Sequence, residues 1–229
     1  GRISVKLAGN PSLSVSLKNK LPDGVQKQMG HCLVHSSPQV APGMYVESQS
    51  WLCNHGVVMH GLAELDAFEL NKFSRVIRAA ISESTRIEPN FALELADFVR
   101  LLIPLNTPDK MYSVSSSYLN MRGAICLSYS DSVVLQIETL IHEFSHQKVN
   151  FLTAIDPLIE PGQSGQVYYS PWRNDARRLR GLLLGAHAFI NVARHLHRRL
   201  RYGSLIDIRN LDVMRNIALR VLQCELAMR

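Results

Sequence analysis

The chain has 229 residues, 46% of them hydrophobic and 19% charged, with a net charge of +6. The length suits one compact domain, or one domain with a small annex, and the composition suits an ordinary globular core and argues against a disordered chain. No apolar run reaches the length of a membrane helix, and the N-terminus lacks the charged-then-apolar order of a signal peptide, so no membrane association is expected.

Residues 1–60 are rich in Ser, Pro, Gly and Asn, which predicts a largely irregular segment with a strand or two. From Leu62 to Ser84, Leu65, Phe68, Phe73, Val76, Ile77 and Ala80 recur near helical spacing. A second helix is expected after Pro89, with Phe91, Leu95, Phe98, Leu101 and Leu102 on one side and Pro104 at its exit. Alternation through Tyr112, Val114 and Ser116, then the run Ala124–Leu127, predicts a hairpin turning near Asn120 and Gly123. A long helix follows, capped by Ser130 or Asp131 and carrying Val134, Ile137, Leu140, Ile141 and Phe144. A loop of about twenty residues, punctuated by Pro and Gly, leads to two closing helices near 175–202 and 207–228. The expected fold class is therefore α+β, mainly helical, with a small antiparallel β-sheet.

Arginines cluster in "ARRLRG" (176–181) and "ARHLHRRLRYG" (193–203). They read as a solvated helix face or as a surface for an acidic peptide. No aromatic-interleaved motif accompanies them, so nucleic acid is not an expected partner. Cys32, Cys53, Cys126 and Cys224 form no CxxC pair and read as reduced thiols of a cytoplasmic protein. The chain begins at Gly1, which points to a trimmed chain or a piece of a longer, fused polypeptide.

The chemistry lies in "IHEFSHQK" at 141–148. Residues four apart on a helix differ by about 40° in direction and lie about 6 Å apart along its axis, so His142 and His146 can aim at one metal ion while Glu143 points elsewhere. Helix histidines that merely pack or face water would share this spacing. Two imidazoles need a third protein ligand. The metzincin extension would place Gly and His where Val149 and Leu152 stand, so that family is excluded. Downstream acids are sparse: Asp156 and the loop carboxylate Glu160, Asp175, and Glu225. His187 shares a face with Leu183 and Ile190 beside small Gly185, Ala186 and Ala188, and is the better third ligand. His195 and His197, among arginines, are expected to be solvated. His31, His35, His55 and His60 are expected to be non-ligands.

"IHEFSHQKVNFL" followed by "YYSPWRNDARRLRGLLLGAHAFINVA" resembles the HExxH-motif peptide-modification family, whose members are similar to 2-oxoglutarate-dependent β-hydroxylases of ribosomally made peptides. The resemblance covers about residues 110–200. It runs through the HExxH helix, Ser170-Pro171-Trp172-Arg173, Arg177 and the Gly181–Val192 stretch. Two positions depart from the family pattern: Arg178 stands where proline is frequent, and Leu184 where histidine is common. The resemblance implies a single catalytic domain over 1–229, with its metal site between two long helices. It implies iron(II) held by His142, His146 and His187, 2-oxoglutarate as co-substrate, and a ribosomally synthesised precursor peptide as partner. The far carboxylate of the co-substrate would then need a cation, for which Arg173 or Arg177 is placed. Glu143 would orient a ligand or hold substrate rather than activate water. Zinc-dependent HExxH peptidase activity is the alternative, with iron and zinc undistinguished by the motif.

Overall fold

The computed structural model describes residues 2–5, 13–16, 38–47, 61–107, 113–160, 165–202 and 209–228. Two compact units emerge, residues 1–36 and 37–229. In the first, strands β1 (Arg2–Val5) and β2 (Leu13–Ser16) pair antiparallel, Arg2 opposite Ser16. His31, His35, His55 and His60, and the thiols Cys32 and Cys53, lie outside the described residues.

The second unit is α+β and mainly helical. Its helices are α1 (Ala67–Ile87), α2 (Pro89–Phe98), α3 (Val133–Ile155), α4 (Leu179–Tyr202) and α5 (Arg209–Met228). Strands β3 (Gln39–Ala41), β4 (Met44–Val46), β5 (Leu101–Leu105), β6 (Ser115–Ser116) and β7 (Ala124–Ser128) form one sheet in the order β3-β4-β5-β7-β6. A further pair, β8 (Val167–Tyr168) and β9 (Arg177–Arg178), lies in the connection before α4.

The sheet is mixed, which corrects the antiparallel expectation. β4, β5 and β7 run parallel, while β3 and β6 pair antiparallel at the two edges. The missed element is β5. Residues 101–104, expected to continue a helix, form a central strand paired in register with β7 from Leu101↔Ala124 to Leu105↔Ser128. Pro104 is tolerated there for a local reason. The Leu102 carbonyl accepts from Glu47, so residues 102 and 104 face the β4 side, and β4 pairs only as far as Leu102. The N–H that proline lacks therefore falls beyond the end of its neighbour. Alternation then divides the sheet. Leu102, Ile125 and Leu127 enter the main core with Phe73, Ile77, Leu140 and Phe144, while Ile103, Leu105, Ala124 and Cys126 pack with Leu62 in a smaller cluster.

Local signals explain the helix starts. Asp66 and Glu69 form a reciprocal capping box at α1, Pro89 opens α2 at its first turn, and Ser132, not Ser130 or Asp131, caps α3 by accepting from Leu135. The expected hairpin is present as β6–β7, and Gly123 adopts φ 83° at its turn. A Cβ there would sit 2.9 Å from the Phe98 carbonyl oxygen, so close approach and dihedral both demand glycine.

α3 is fixed to β7 by two glutamines. Gln136 Nε2 donates to the Ser128 carbonyl at 2.9 Å, and Gln147 Nε2 donates to the Ala124 carbonyl at 2.8 Å. The helix thus runs antiparallel to β7, with one face committed to the sheet. At the α1–α2 junction Glu88, only 6% exposed, faces Arg194 at 3.0 Å, His195 at 3.4 Å and a close contact from Arg198, all on α4. Part of the arginine cluster is therefore engaged by a buried carboxylate while its side chains stay largely exposed to solvent. His195 is 1% exposed, which corrects its expected solvation, whereas His197 is exposed as expected. Cys126 and Cys224 are buried free thiols. Among the described residues, no helix is long and apolar enough to cross a membrane.

Candidate metal centre

Three side chains at positions i, i+7 and i+11 of α3, Gln136, Glu143 and Gln147, form its sheet-facing stripe. Glu143 is 2% exposed. Its Oε1 accepts from Ser115 Oγ at 2.7 Å, and its Oε2 accepts a close hydrogen bond from Ser117, whose hydroxyl also lies 3.0 Å from the Glu143 carbonyl. Burial pushes the carboxyl above its ordinary range, while the Ser117 and Ser115 hydroxyls pull the other way. Both oxygens are thereby engaged by residues of and beside the edge strand β6.

His142 and His146 project one step round the helix, between α3 and α4. Their ring centroids are 4.5 Å apart at 80°, and the Phe189 ring on α4 meets His142 edge-on at 4.8 Å. Trp172 stacks on Phe189 at 5.3 Å and 22°. Gly185 makes room for that indole, because a Cβ there would lie 3.0 Å from it. The pair is kept neutral. Burial, then the charge of Arg220, lowers His142 to about 4; burial, then the charges of His142 and His187, lowers His146 to about 3. Ligand atoms of His142, Glu143 and His146 all lie within 4.8 Å of one another.

Two neutral imidazoles with lone pairs to donate suit a divalent transition metal. His146 Nδ1 supplies the test of fit, being buried without a hydrogen-bond partner, as is Trp172 Nε1. A metal ion satisfies such an orphaned nitrogen; a packing role leaves it unsatisfied.

His187 stands apart from this trio. It is half-buried on α4, with Nδ1 3.1 Å from the Ser145 carbonyl oxygen and Nε2 3.3 Å from Asn191 Nδ2. A carbonyl only accepts, so Nδ1 carries the proton and Nε2 keeps its lone pair, capped by the Asn191 amide. An N–H donated to a backbone carbonyl is the usual way a metal-ligating histidine is oriented. Ile190, expected to point inward with it, is 45% exposed.

Arg173 hydrogen-bonds Asp175, and Arg177 lies within ion-pair distance of the same carboxylate, although its Nε is buried without a hydrogen-bond partner. Arg173 Nε lies 2.8 Å from one carboxylate oxygen of Asp175 and Arg177 Nε 2.9 Å from the other. The Arg173 bond is the main cause that holds Asp175 below its ordinary range. Glu160 is exposed, and neither it nor Asp156 belongs to the metal-competent group. A cleft of about 800 Å³ at the C-terminal ends of β5 and β7 contains none of the motif residues.

Sequence reasoning missed Ser115 and Ser117, whose i, i+2 spacing in the run of serines at 115–117 was the available signal. It also missed Arg220, a half-buried guanidinium 4.2 Å over the Phe189 ring. No family model matches the chain, and comparison with curated proteins gives no match.

Proposed function

We propose that this chain is an iron(II)- and 2-oxoglutarate-dependent hydroxylase acting on a side chain, at the β-carbon, of a ribosomally made precursor peptide. The observation that carries the reading is the neutral His142–His146 pair beside a carboxylate already committed to Ser115 and Ser117. Such a pair offers few protein donors and leaves positions open for a chelating oxo-acid and dioxygen. Bound there, iron with its co-substrate supplies the insertion of one oxygen atom into a C–H bond.

The chain's own residues do the rest. His142 and His146 donate neutral imidazole nitrogens. His187 can add the third once Nε2 is released from Asn191, its ring already oriented through Ser145. Glu143 holds β6 against α3 and so fixes the floor of the site. Phe189 and Trp172 wall it and exclude water from one side. The exposed arginines Arg178 and Arg201 are suited to an acidic stretch of the peptide.

Anaerobic addition of 2-oxoglutarate to the iron-loaded chain should produce a weak visible charge-transfer band. Exposure to oxygen with peptide should then give succinate and a peptide heavier by one oxygen. A second reading, a zinc peptidase, is favoured by one observation: a Glu143 oxygen lies near both imidazoles and its carboxyl is raised toward the range of a general base. Peptide fragments that require zinc and disappear in Glu143→Gln would establish that reading in place of the first.

A further inference from the structure

We infer that Arg220, and neither Arg173 nor Arg177, anchors the far carboxylate of a short dicarboxylic 2-oxo acid bound at the histidine pair; this rests on the oxygenase reading above. Arg173 and Arg177 already share Asp175. Arg220 has no carboxylate within 4.0 Å among the described residues, and its one hydrogen bond, to Gln223 Oε1, is long at 3.4 Å. It is nonetheless half-buried, and its guanidinium carbon lies 4.2 Å over the Phe189 ring whose edge meets His142. The two legs through Phe189, 4.2 and 4.8 Å, cap its separation from the His142 ring. A five-carbon diacid, with four C–C bonds of about 1.5 Å, is long enough to span from the pair to the guanidinium.

A guanidinium this close to a dication site in a partly dry pocket is repulsive. An anion chelated at one end and held by the guanidinium at the other converts that repulsion into attraction, and arginine's fork matches a carboxylate bidentately. The competing anion is Glu138, one turn before His142. It is half-buried, pushed toward its neutral form by burial, and not within ion-pair distance of Arg220. Two further features suit a ligand here. Gln223 Nε2 donates to the Pro171 carbonyl at 3.0 Å, pinning α5 to the loop that carries Trp172. The Trp172 Nε1–H is buried without a partner, a donor left for an incoming oxygen.

The probes are 2-oxoglutarate and 2-oxobutanoate, which share the chelating end and differ in the far carboxylate. Each is titrated anaerobically into the iron-loaded chain and followed by the charge-transfer band. The wild type should prefer the diacid. Arg220→Gln should weaken 2-oxoglutarate roughly tenfold to a hundredfold and leave 2-oxobutanoate unchanged. Arg220→Lys should be intermediate, and the double variant Arg173→Gln/Arg177→Gln should keep the preference. Without any oxo-acid, Arg220→Gln should bind iron(II) more tightly than the wild type, an opposite sign that a folding defect would not give. The inference is overturned if Arg220→Gln retains the wild-type preference or if the Arg173/Arg177 variant loses it. Iron binding with no band from either acid in the wild type would instead remove the oxygenase reading itself, and this inference with it.

Discussion

If Glu143 is a tie between α3 and the edge strand, deleting the Ser115 hydroxyl should be costly only while the carboxylate is there. Ser115 supplies the hydrogen bond to Oε1, inside a site where Glu143 is 2% exposed. Hydrogen bonds to charged groups are worth about 1.5–3 kcal/mol, because the abandoned partner cannot recover water. Ser115→Ala should therefore lose about 1.5–3 kcal/mol at pH 7. In a Glu143→Gln background the partner is a neutral amide, and the same change should cost about 0.5–1.5 kcal/mol. The difference is the coupling that a double-mutant cycle reads directly. Urea unfolding of the four metal-free proteins, followed by far-UV CD, measures it. The sign with pH follows from the raised carboxyl: on going from pH 7 to pH 5 the acid takes up its proton more readily, and the Ser115→Ala penalty should shrink. A loss below about 0.5 kcal/mol, or equal losses in both backgrounds, would refute the tie.

Acid should weaken the metal-free fold through the histidine pair. His142 and His146 titrate at about 4 and about 3 when folded, against 6.5 ordinarily, so below about pH 6.5 the unfolded chain binds protons that the folded chain does not. Stability should fall toward pH 4 by up to about 1.4 kcal/mol per pH unit for each histidine, and His142→Gln/His146→Gln should flatten that slope in denaturant melts. His142→Ala should abolish stoichiometric metal binding by calorimetry. His187→Ala should weaken it tenfold or more if Nε2 is the third donor, and normal affinity there would transfer that role to Glu143, whose oxygen lies near both imidazoles. Gly123→Ala should cost at least about 1–2 kcal/mol, since φ is 83° and the added Cβ meets a backbone oxygen; an unchanged melting temperature would contradict this.

The histidine pair was legible because its signal is purely local: two imidazoles one turn apart need no tertiary information to share a face. β5 was not legible. "LLIPL" is a short apolar run, and length and composition alone do not separate a buried strand from the end of a helix. The parallel register with β7 that makes it a strand is a long-range property. His195 was misread through its sequence neighbours, although each step along a helix turns about 100°. It points inward between the exposed residues Arg194 and His197. Arg220 left no sequence signal, because an arginine on a closing amphipathic helix looks solvated until α4 presents Phe189 beneath it.

Glu88 carries a consequence for how the chain is made. The carboxylate is buried where α1 meets α2, and its cations come from residues 194–198, over a hundred positions later. A nascent chain that has released only α1, α2 and the sheet must either hold an uncompensated charge in a dry junction or keep that junction open. During synthesis the second choice is expected, since loop closure over such a span comes late and domains consolidate as units. The α1–α2 corner should therefore remain accessible to proteases on stalled ribosomes until α4 has emerged, and close when Arg194, His195 and Arg198 arrive.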